Sequence, residues 1–573
     1  MPPLESLSLE IDTIKKPCRH DPRGRDRHTL TNAQRLQKET EAMLTLRRYA
    51  YASGRIDSLS GAPLEALTTL VYSDKLHFQK IAVLAFPPSV VKGGGSVKRE
   101  VMEPILYLLR SDDIAVHEPA LYALAKLVYQ DERNCRLAIE LEALVDVNRL
   151  LRATTPKVHW VALAVVHEII RMESFRIEVA KSGVIEALIP LALSRDARVP
   201  RTLAGTFLEF SHTDETRQMI VEAGAVPLLF CLLDSLVPDI QLVSAQAIEG
   251  ITVDSRYLRM IAEAREGLEF TLIGFLDLSN PLLAPVAAMT LARLSLDQDF
   301  RIKILQSQVL LPLFQMMRSD YYQLIETSML CFATLSTDLS IGSTGIEARL
   351  ADRIVELVSY KGNEDLQFNS VVTLRALAHS EQNARAIVEA GAVSRVCALV
   401  SQATPPVQSE TVKFLCHLTS FEGLRPRLDR TELFETLIPF SLSPKEEVWI
   451  CSAGAILHMI GAKDCFSIVS AWNAPTGGLR ECFVRYLCSN HGTIQLLAIV
   501  VISKWLEGGD HAMKNLITGS PEIVARVNEI ANDPEACAPV PMQHRRDATS
   551  EDPRVITMVS AGLIVEMLLA TEE

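Results

Sequence analysis

Nine residues recur along this chain at intervals of 41 to 43: Lys126, Glu168, Glu209, Gly250, Arg293, Thr334, Ala376, His417 and His458. Ten positions before each stands an aliphatic residue: Val116, Val158, Val199, Ile240, Leu283, Leu324, Leu366, Val407 and Val448. Six before stand Ala120, Ala162, Leu203, Ser244, Ala287, Ser328, Ser370, Thr411 and Ser452, small in eight of nine copies. The positions two before and one after are apolar throughout, from Leu124 and Leu127 in the first copy to Ile456 and Met459 in the last. Offsets of −10, −6, −2 and +1 step by 4, 4 and 3, which is one stripe of a 3.6-residue helix. A stripe repeated at a fixed period predicts stacked copies of one helical unit, because each copy can hide its apolar side only against the next. The nine residues that set the register are called the ladder below.

Upstream of each ladder helix lies a second apolar helix, such as residues 104–109 or 226–229. Between the two sit capping residues: Ser111-Asp112-Asp113, Ser194-Arg195-Asp196 and Ser443-Pro444. Glu222-Ala223-Gly224-Ala225-Val226, Glu389-Ala390-Gly391-Ala392-Val393 and the looser Lys181-Ser182-Gly183-Val184-Ile185 follow short helical stretches such as Arg217 to Val221. A glycine there permits a sharp bend between a short first helix and a long second one. Period and bend together point to an all-α armadillo-repeat fold, a right-handed superhelix of about eleven three-helix units. Ile494, Ala498, Ile502, Lys504 and Trp505 extend the pattern at one end, and Phe78, Ala82, Phe86, Pro88 and Ser89 more loosely at the other. Pro87-Pro88 and Gly93-Gly94-Gly95 predict a shortened helix and a loop. The expected organisation is a disordered basic tail over 1–30, the repeat array over 31–537 opened by a helix near Thr31 to Tyr51, a loop over 538–553, and a capping helix over 554–573.

Composition narrows the function. Of 573 residues, 57 are Lys or Arg and 70 are Asp or Glu, a formal charge of −13 that argues against nucleic acid as the main ligand. The longest strongly apolar run, Leu496 to Ile502, is too short for a bilayer, which takes about 20 residues. The opening MPPLESLSLE has no apolar core of a secretory signal. The 11 cysteines form no CxxC pair, and Cys231, Cys331 and Cys416 fall in apolar stretches, as reduced packed thiols do.

Several segments resemble the fungal vacuolar protein 8 family of armadillo proteins. The stretch from Leu59 to Asp74 is similar to the family's opening unit. Lys98 to Leu106, Ala223 to Pro227 and Val407 to Glu410 match in register, as do Ile468 to Trp472, Gly478 to Arg480 and Arg485 to Leu487. The resemblance runs from about residue 35 to about 570. It implies a non-enzymatic adaptor on the cytosolic face of the vacuole, with roles in vacuole inheritance, nucleus–vacuole contact, vacuole fusion and autophagic targeting. Two features depart from the family. Its members begin with an acylated glycine and a cysteine cluster, whereas Met1 here precedes Pro2-Pro3, which excludes N-myristoylation of this chain as written. Armadillo ladders commonly hold asparagine, and none of these nine residues is one. The arginine that the family places just before the ladder is kept as Arg375, against Ala292 and Ala333.

No catalytic constellation emerges. His167-Glu168-Ile169-Ile170-Arg171 starts like a zinc protease motif but carries arginine where the second histidine must stand. Cys416 and His417 are neighbours in a helix, where adjacent side chains diverge by about 100°. No phosphate loop, dinucleotide fingerprint or metal spacing occurs, so no cofactor is expected. The expected ligands are proteins held in a concave groove lined by Lys126, Glu168, Glu209, Glu249, Arg293, Thr334, Arg375, His417 and His458, acidic at its early end and basic at its late end. Some of these residues would alternatively be plain solvated surface. Around Cys18 stand Lys15, Lys16, Arg19, Arg23, Arg25 and Arg27, either a solvated tail or an acylated cysteine beside a polybasic patch for peripheral attachment to the vacuolar membrane. A soluble cytosolic adaptor for signalling or cargo is the alternative to the vacuolar one.

Overall fold

The computed structural model describes residues 31–51, 61–84, 96–336, 348–360, 362–460, 465–473, 478–507, 511–538 and 553–569. The expectations for the tail 1–30 with Cys18, for Pro87-Pro88, for the triple glycine and for most of 538–553 lie outside them. Every regular element among the described residues is a helix. The chain forms two compact bodies, residues 1–266 and 267–573.

In each body the ladder helices lie side by side. In the first they are Ile114–Val128, Pro156–Ile170, Arg198–Phe210 and Pro238–Ile251. In the second they are Leu283–Leu294, Tyr322–Leu335, Glu364–Leu377, Pro405–Ser420, Glu446–Ile460 and Gly492–Glu507. All nine residues of each of the four framing columns are buried. Three of the five hydroxyls in the small column bond back to their own helix: Ser244 Oγ donates to the Ile240 carbonyl at 2.6 Å, Ser328 Oγ to that of Ile325 at 3.0 Å and Ser370 Oγ to that of Leu366 at 2.7 Å. Ser452 Oγ donates instead to the Leu437 carbonyl of the preceding helix at 2.6 Å, and Thr411 Oγ1 is buried without a hydrogen-bond partner among the described residues.

Predicted caps recur at the start of the ladder helices. Asp113 Oδ1 accepts from the Ala115 amide at 3.0 Å, and Asp196 Oδ1 from that of Arg198 at 3.0 Å. The sharp bend is present: Asp214–Glu222 and Val226–Leu233 meet at 90°. Gly183, Gly224 and Gly391 turn their corners at φ of 79°, 71° and 81°, where a side chain would be strained. The short-then-long expectation needs correction. The first helices Asp214–Glu222 and Glu381–Glu389 have 9 residues each, against 8 and 9 for their second helices. They start a turn earlier than expected after Thr213 and Ser380, and the Ser380 hydroxyl accepts the Asn383 amide at 3.3 Å. In these two units the ladder helices are the long ones, Pro238–Ile251 with 14 residues and Pro405–Ser420 with 16.

Two further columns hold the ends of the ladder helices. Two positions past the ladder, the buried hydroxyls of Ser211, Thr252, Ser295, Ser336 and Thr419 each donate to the carbonyl three residues back, at 2.6 to 2.9 Å. Eight positions past it, an arginine reaches back to the carbonyl of the residue two past the ladder. Arg176 donates to Ile170 at 3.0 Å, Arg217 to Ser211 at 2.7 Å, Arg301 to Ser295 at 2.9 Å and Arg425 to Thr419 at 2.8 Å. The last turn of a helix leaves carbonyls without partners, and a cation there also meets the negative end of the helix dipole.

At the amino end, Asn32–Tyr51 packs on Ala62–Val71, and the following helix, Leu76–Leu84, has 9 described residues. At the other end, Pro553–Leu569 lies against both Gly492–Glu507 and Pro521–Asn532. Cys231 also differs from expectation. It is exposed, because the flanking Leu228, Leu229, Leu232 and Leu233 already fill the buried side of its short helix. We expect Phe332→Ala, in the fully buried column two before the ladder, to cost about 3–5 kcal/mol. Lys126→Ala, on the half-exposed ladder, should stay within about 0.5 kcal/mol. Urea unfolding followed by circular dichroism compares the two.

Candidate partner-binding face

Each ladder residue is half-exposed, whereas the framing columns are buried. The cause is angular: the ladder side chain leaves its helix about 100° away from its buried neighbour one residue on, at the shoulder of the apolar stripe. In each body this places one column of side chains along a row of parallel helix ends.

These side chains are not idle. In successive units the ladder residue of one reaches the position two past the ladder in the unit before. Ser295 Oγ donates to Thr334 Oγ1 at 3.1 Å, His417 Nε2 lies 3.1 Å from the Ala378 carbonyl, and Thr419 Oγ1 lies 3.3 Å from His458 Nδ1. Gly250 obeys the same rule by having no side chain. A Cβ there would stand 2.4 Å from Ser211 Oγ and 2.9 Å from Ser211 Cβ. A seam between units therefore runs under the ladder, and glycine stands where a side chain would collide with Ser211 of the unit before.

The charged members have intrachain partners. In the first body, the Lys126 ammonium lies 5.4 Å from the Tyr122 ring centre, and Glu168 Oε2 is 3.4 Å from Arg171. Glu209 Oε2 is 2.6 Å from Arg176, the same arginine that holds the Ile170 carbonyl. Glu249 is half-exposed and engaged. In the second body, Arg293 is half-exposed and engaged. Arg375 Nε is 3.1 Å from Glu410 Oε2, and Lys413 bridges Glu410 at 3.0 Å and Glu447 at 2.5 Å. Arg375, Glu410, Lys413 and Glu447 thus form an ion ladder across three consecutive ladder helices. Arg375 gives Glu410 only its Nε–H, so a ligand carboxylate could take the remaining guanidinium N–H groups or exchange with Glu410.

The carboxyl of Glu168 is raised above its ordinary range by burial, against the pull of Arg171. His167, His417 and His458 are all lowered by burial. His167 fits against Gly205, where a Cβ would come within 3.2 Å of its ring, and its Nδ1 lies 3.4 Å from the Thr206 hydroxyl. Its place is in the packing between two ladder helices. His417 also stacks on His379, ring centres 6.3 Å apart.

Apolar periodicity shows the ladder and its frame but not the hydroxyl and arginine columns, which lie in the same 41–43 register at offsets +2 and +8 in five and four of the nine copies.

A repeated three-helix unit with a glycine-turned corner and a half-exposed ladder defines an armadillo-repeat protein. An engineered protein solved by crystallography superposes with a TM-score of 0.58 at 21% identity, covering 70% of this chain and 99% of its own, a likeness of fold. No family model matches the sequence. The relatives are more specific. Vacuolar protein 8 of Schizosaccharomyces pombe is 33% identical over 495 residues, covering 86% of this chain and 90% of that protein. That of Yarrowia lipolytica is 34% identical over 519 residues, covering 90% of each. That of Saccharomyces cerevisiae is 30% identical over 496 residues, covering 86% of each. The chain belongs to the vacuolar protein 8 family.

Two outcomes follow from the seam. Gly250→Ala should lower stability by about 1–3 kcal/mol through overpacking against Ser211, and Ser211→Gly in the same chain should recover much of it, read as melting temperatures. For the histidines, a lowered folded pKa means that the unfolded chain binds more protons once pH falls below the ordinary imidazole value of about 6.5. These residues therefore cost stability on acidification through that range, whereas the raised carboxyl of Glu168 acts with opposite sign nearer the carboxylate range. A chain carrying His417→Gln and His458→Gln should lose less melting temperature than the parent between about pH 7.5 and about pH 5.5.

Proposed function

We propose that this chain is an adaptor at the cytosolic surface of the vacuole, gathering protein partners on the ladder-lined faces of its repeat bodies. The processes implied by the family are vacuole inheritance, nucleus–vacuole contact, vacuole fusion and autophagic targeting. What carries the reading is the ladder itself, a half-exposed polar column repeated in register with four buried ones. The membership of the vacuolar protein 8 family supports the place and the class of work. This role uses shape and charge, with no cofactor. No single described helix is long and apolar enough to cross a membrane; peripheral attachment to the vacuolar membrane is part of this proposal.

The absence of asparagine from the ladder bears on the kind of ligand. An asparagine amide pairs with an extended backbone through one donor and one acceptor. Thr334, His417 and His458 instead spend hydrogen bonds on the neighbouring unit. Partners held by charged side chains, in helical or irregular segments, suit this face better than an extended peptide. In the second body an acidic segment would exchange with Glu410 for Arg375 and take Arg293 by two parallel hydrogen bonds.

The test is capture of cellular partners by tagged full-length chain carrying Arg293→Glu and Arg375→Glu. Recovery should fall roughly tenfold or more, as loss of charge-assisted contacts worth about 1.5–3 kcal/mol each implies, with helicity retained. Unchanged recovery by a folded variant would move the binding surface elsewhere. Imaging the tagged chain should give a rim around the vacuole; a diffuse cytosolic signal would favour the membrane-free adaptor.

A further inference from the structure

Two of the nine described cysteines meet across the seam between consecutive units of the second body. Cys416 stands one residue before the ladder in Pro405–Ser420, and Cys451 lies in the next ladder helix, Glu446–Ile460. The two thiols are near enough for each to influence the ionisation of the other. The contact has a steric origin. Gly454 lies three residues after Cys451 and so on the same side of its helix, and a Cβ at Gly454 would stand 3.2 Å from Cys416 Sγ. The missing side chain leaves room for the Cys416 sulfur, and holds it beside Cys451. Both thiols are half-exposed, whereas Cys135, Cys331, Cys397, Cys482 and Cys537 are buried.

We propose that Cys416 and Cys451 form a dithiol site, oxidised by a peroxide to an intramolecular disulfide that staples two consecutive ladder helices on the partner-binding face. The chemistry balances. The Cys451 thiolate attacks one peroxide oxygen, the O–O bond breaks, hydroxide leaves, and a sulfenic acid remains. The Cys416 sulfur then attacks the Cys451 sulfur. The S–S bond forms, the S–O bond breaks, and the departing hydroxide takes the Cys416 proton. Two thiols and one hydrogen peroxide give one disulfide and two waters. A dithiol reductant reverses the change.

The order of attack follows from the surroundings. The interaction between the thiols lowers Cys451 below the ordinary thiol value and, with burial, raises Cys416. Burial and the nearby Glu447 and Glu410 carboxylates oppose ionisation of Cys451, and the Lys413 ammonium favours it. The opposite directions of the two shifts favour Cys451 as the attacking sulfur and Cys416 as the resolving thiol. By contrast, burial pushes Cys397 and Cys482 up to about 11, which leaves them little thiolate to react. The site adjoins the Arg375–Glu410–Lys413–Glu447 ion ladder. Closing the disulfide pulls the two helices together beside it, so oxidation changes the spacing of charges that a partner would meet.

The experiment treats reduced full-length chain with hydrogen peroxide, blocks remaining thiols with iodoacetamide, and maps linked peptides by mass spectrometry without reduction. The expected result is a Cys416–Cys451 linked peptide, lighter by two hydrogens than its two halves, with two alkylatable thiols lost and both regained after dithiothreitol. A chain carrying Cys451→Ser should lose the linkage and leave Cys416 alkylatable. Gly454→Ala, which crowds the Cys416 sulfur, should slow linkage severalfold. Phenylarsine oxide, which needs two adjacent sulfurs, should be retained by the parent and lost from either single serine variant, a reading that does not depend on oxidation. Linkage through the exposed Cys231 or Cys488 instead, or oxidation of the two sulfurs separately to sulfinic acids, would overturn the proposal. None of these readouts involves a partner, so failure here leaves the adaptor reading standing.

Discussion

A three-helix unit of this size cannot hide its apolar stripe alone, and the rest of the molecule depends on how that stripe is covered. Each ladder helix turns four apolar or small positions toward its neighbours, and the residue six before the ladder is small so that helices approach closely. Close approach brings the carboxyl ends of neighbouring ladder helices within reach of one another, where unsatisfied carbonyls would be costly. The structure meets this with local donors: a hydroxyl two past the ladder bonds its own helix, and an arginine eight past it reaches back from the next helix. Stacking thus fixes both the buried core and the polar chemistry of the helix ends.

The ladder inherits its properties from the same seam. Thr334, His417 and His458 are chosen for reach to the preceding unit, and Gly250 for lack of bulk. The charged residues are matched within the chain, Glu209 with Arg176 and Arg375 with Glu410. Each of these pairs includes a largely buried group, Arg176 in one and Glu410 in the other, so removing its partner would leave that charge uncompensated. If partners meet this face as proposed, such pairs would act on selectivity, because a partner that replaces one gains only the difference between its own contact and the one it replaces. A face of that kind would favour ligands that bring several matched charges at once.

Much of this was legible in the sequence because apolar periodicity is a strong and redundant signal. Leu124, Phe207 and Leu291 obey one rule in copy after copy, so the fold class, the three-helix unit and the buried columns could be read directly. Gly224 and Gly391 marked the bends, since few other residues tolerate their positive φ. Polar partnerships were harder to see. Arg176 and Glu209 lie 33 residues apart, and nothing local ties them until the helices stack. The same holds for Cys416 and Cys451, whose meeting depends on a glycine three residues further on. The sign change along the ladder was read from formal charges. Those charges are present, but Arg176 and Glu410 offset two of them, and only tertiary packing supplies those partners.

We propose that partners meet the ladder side of the repeat bodies. Hydrogen–deuterium exchange on the full-length chain, free and bound to a captured partner, tests this without altering any residue. Slowed exchange is expected in the carboxyl-terminal turns of consecutive ladder helices, such as those ending at Leu377, Ser420 and Ile460, with little change in the second helices. Protection confined to second helices such as Ala348–Val358 and Ala392–Val400, with ladder helices unchanged, would contradict it.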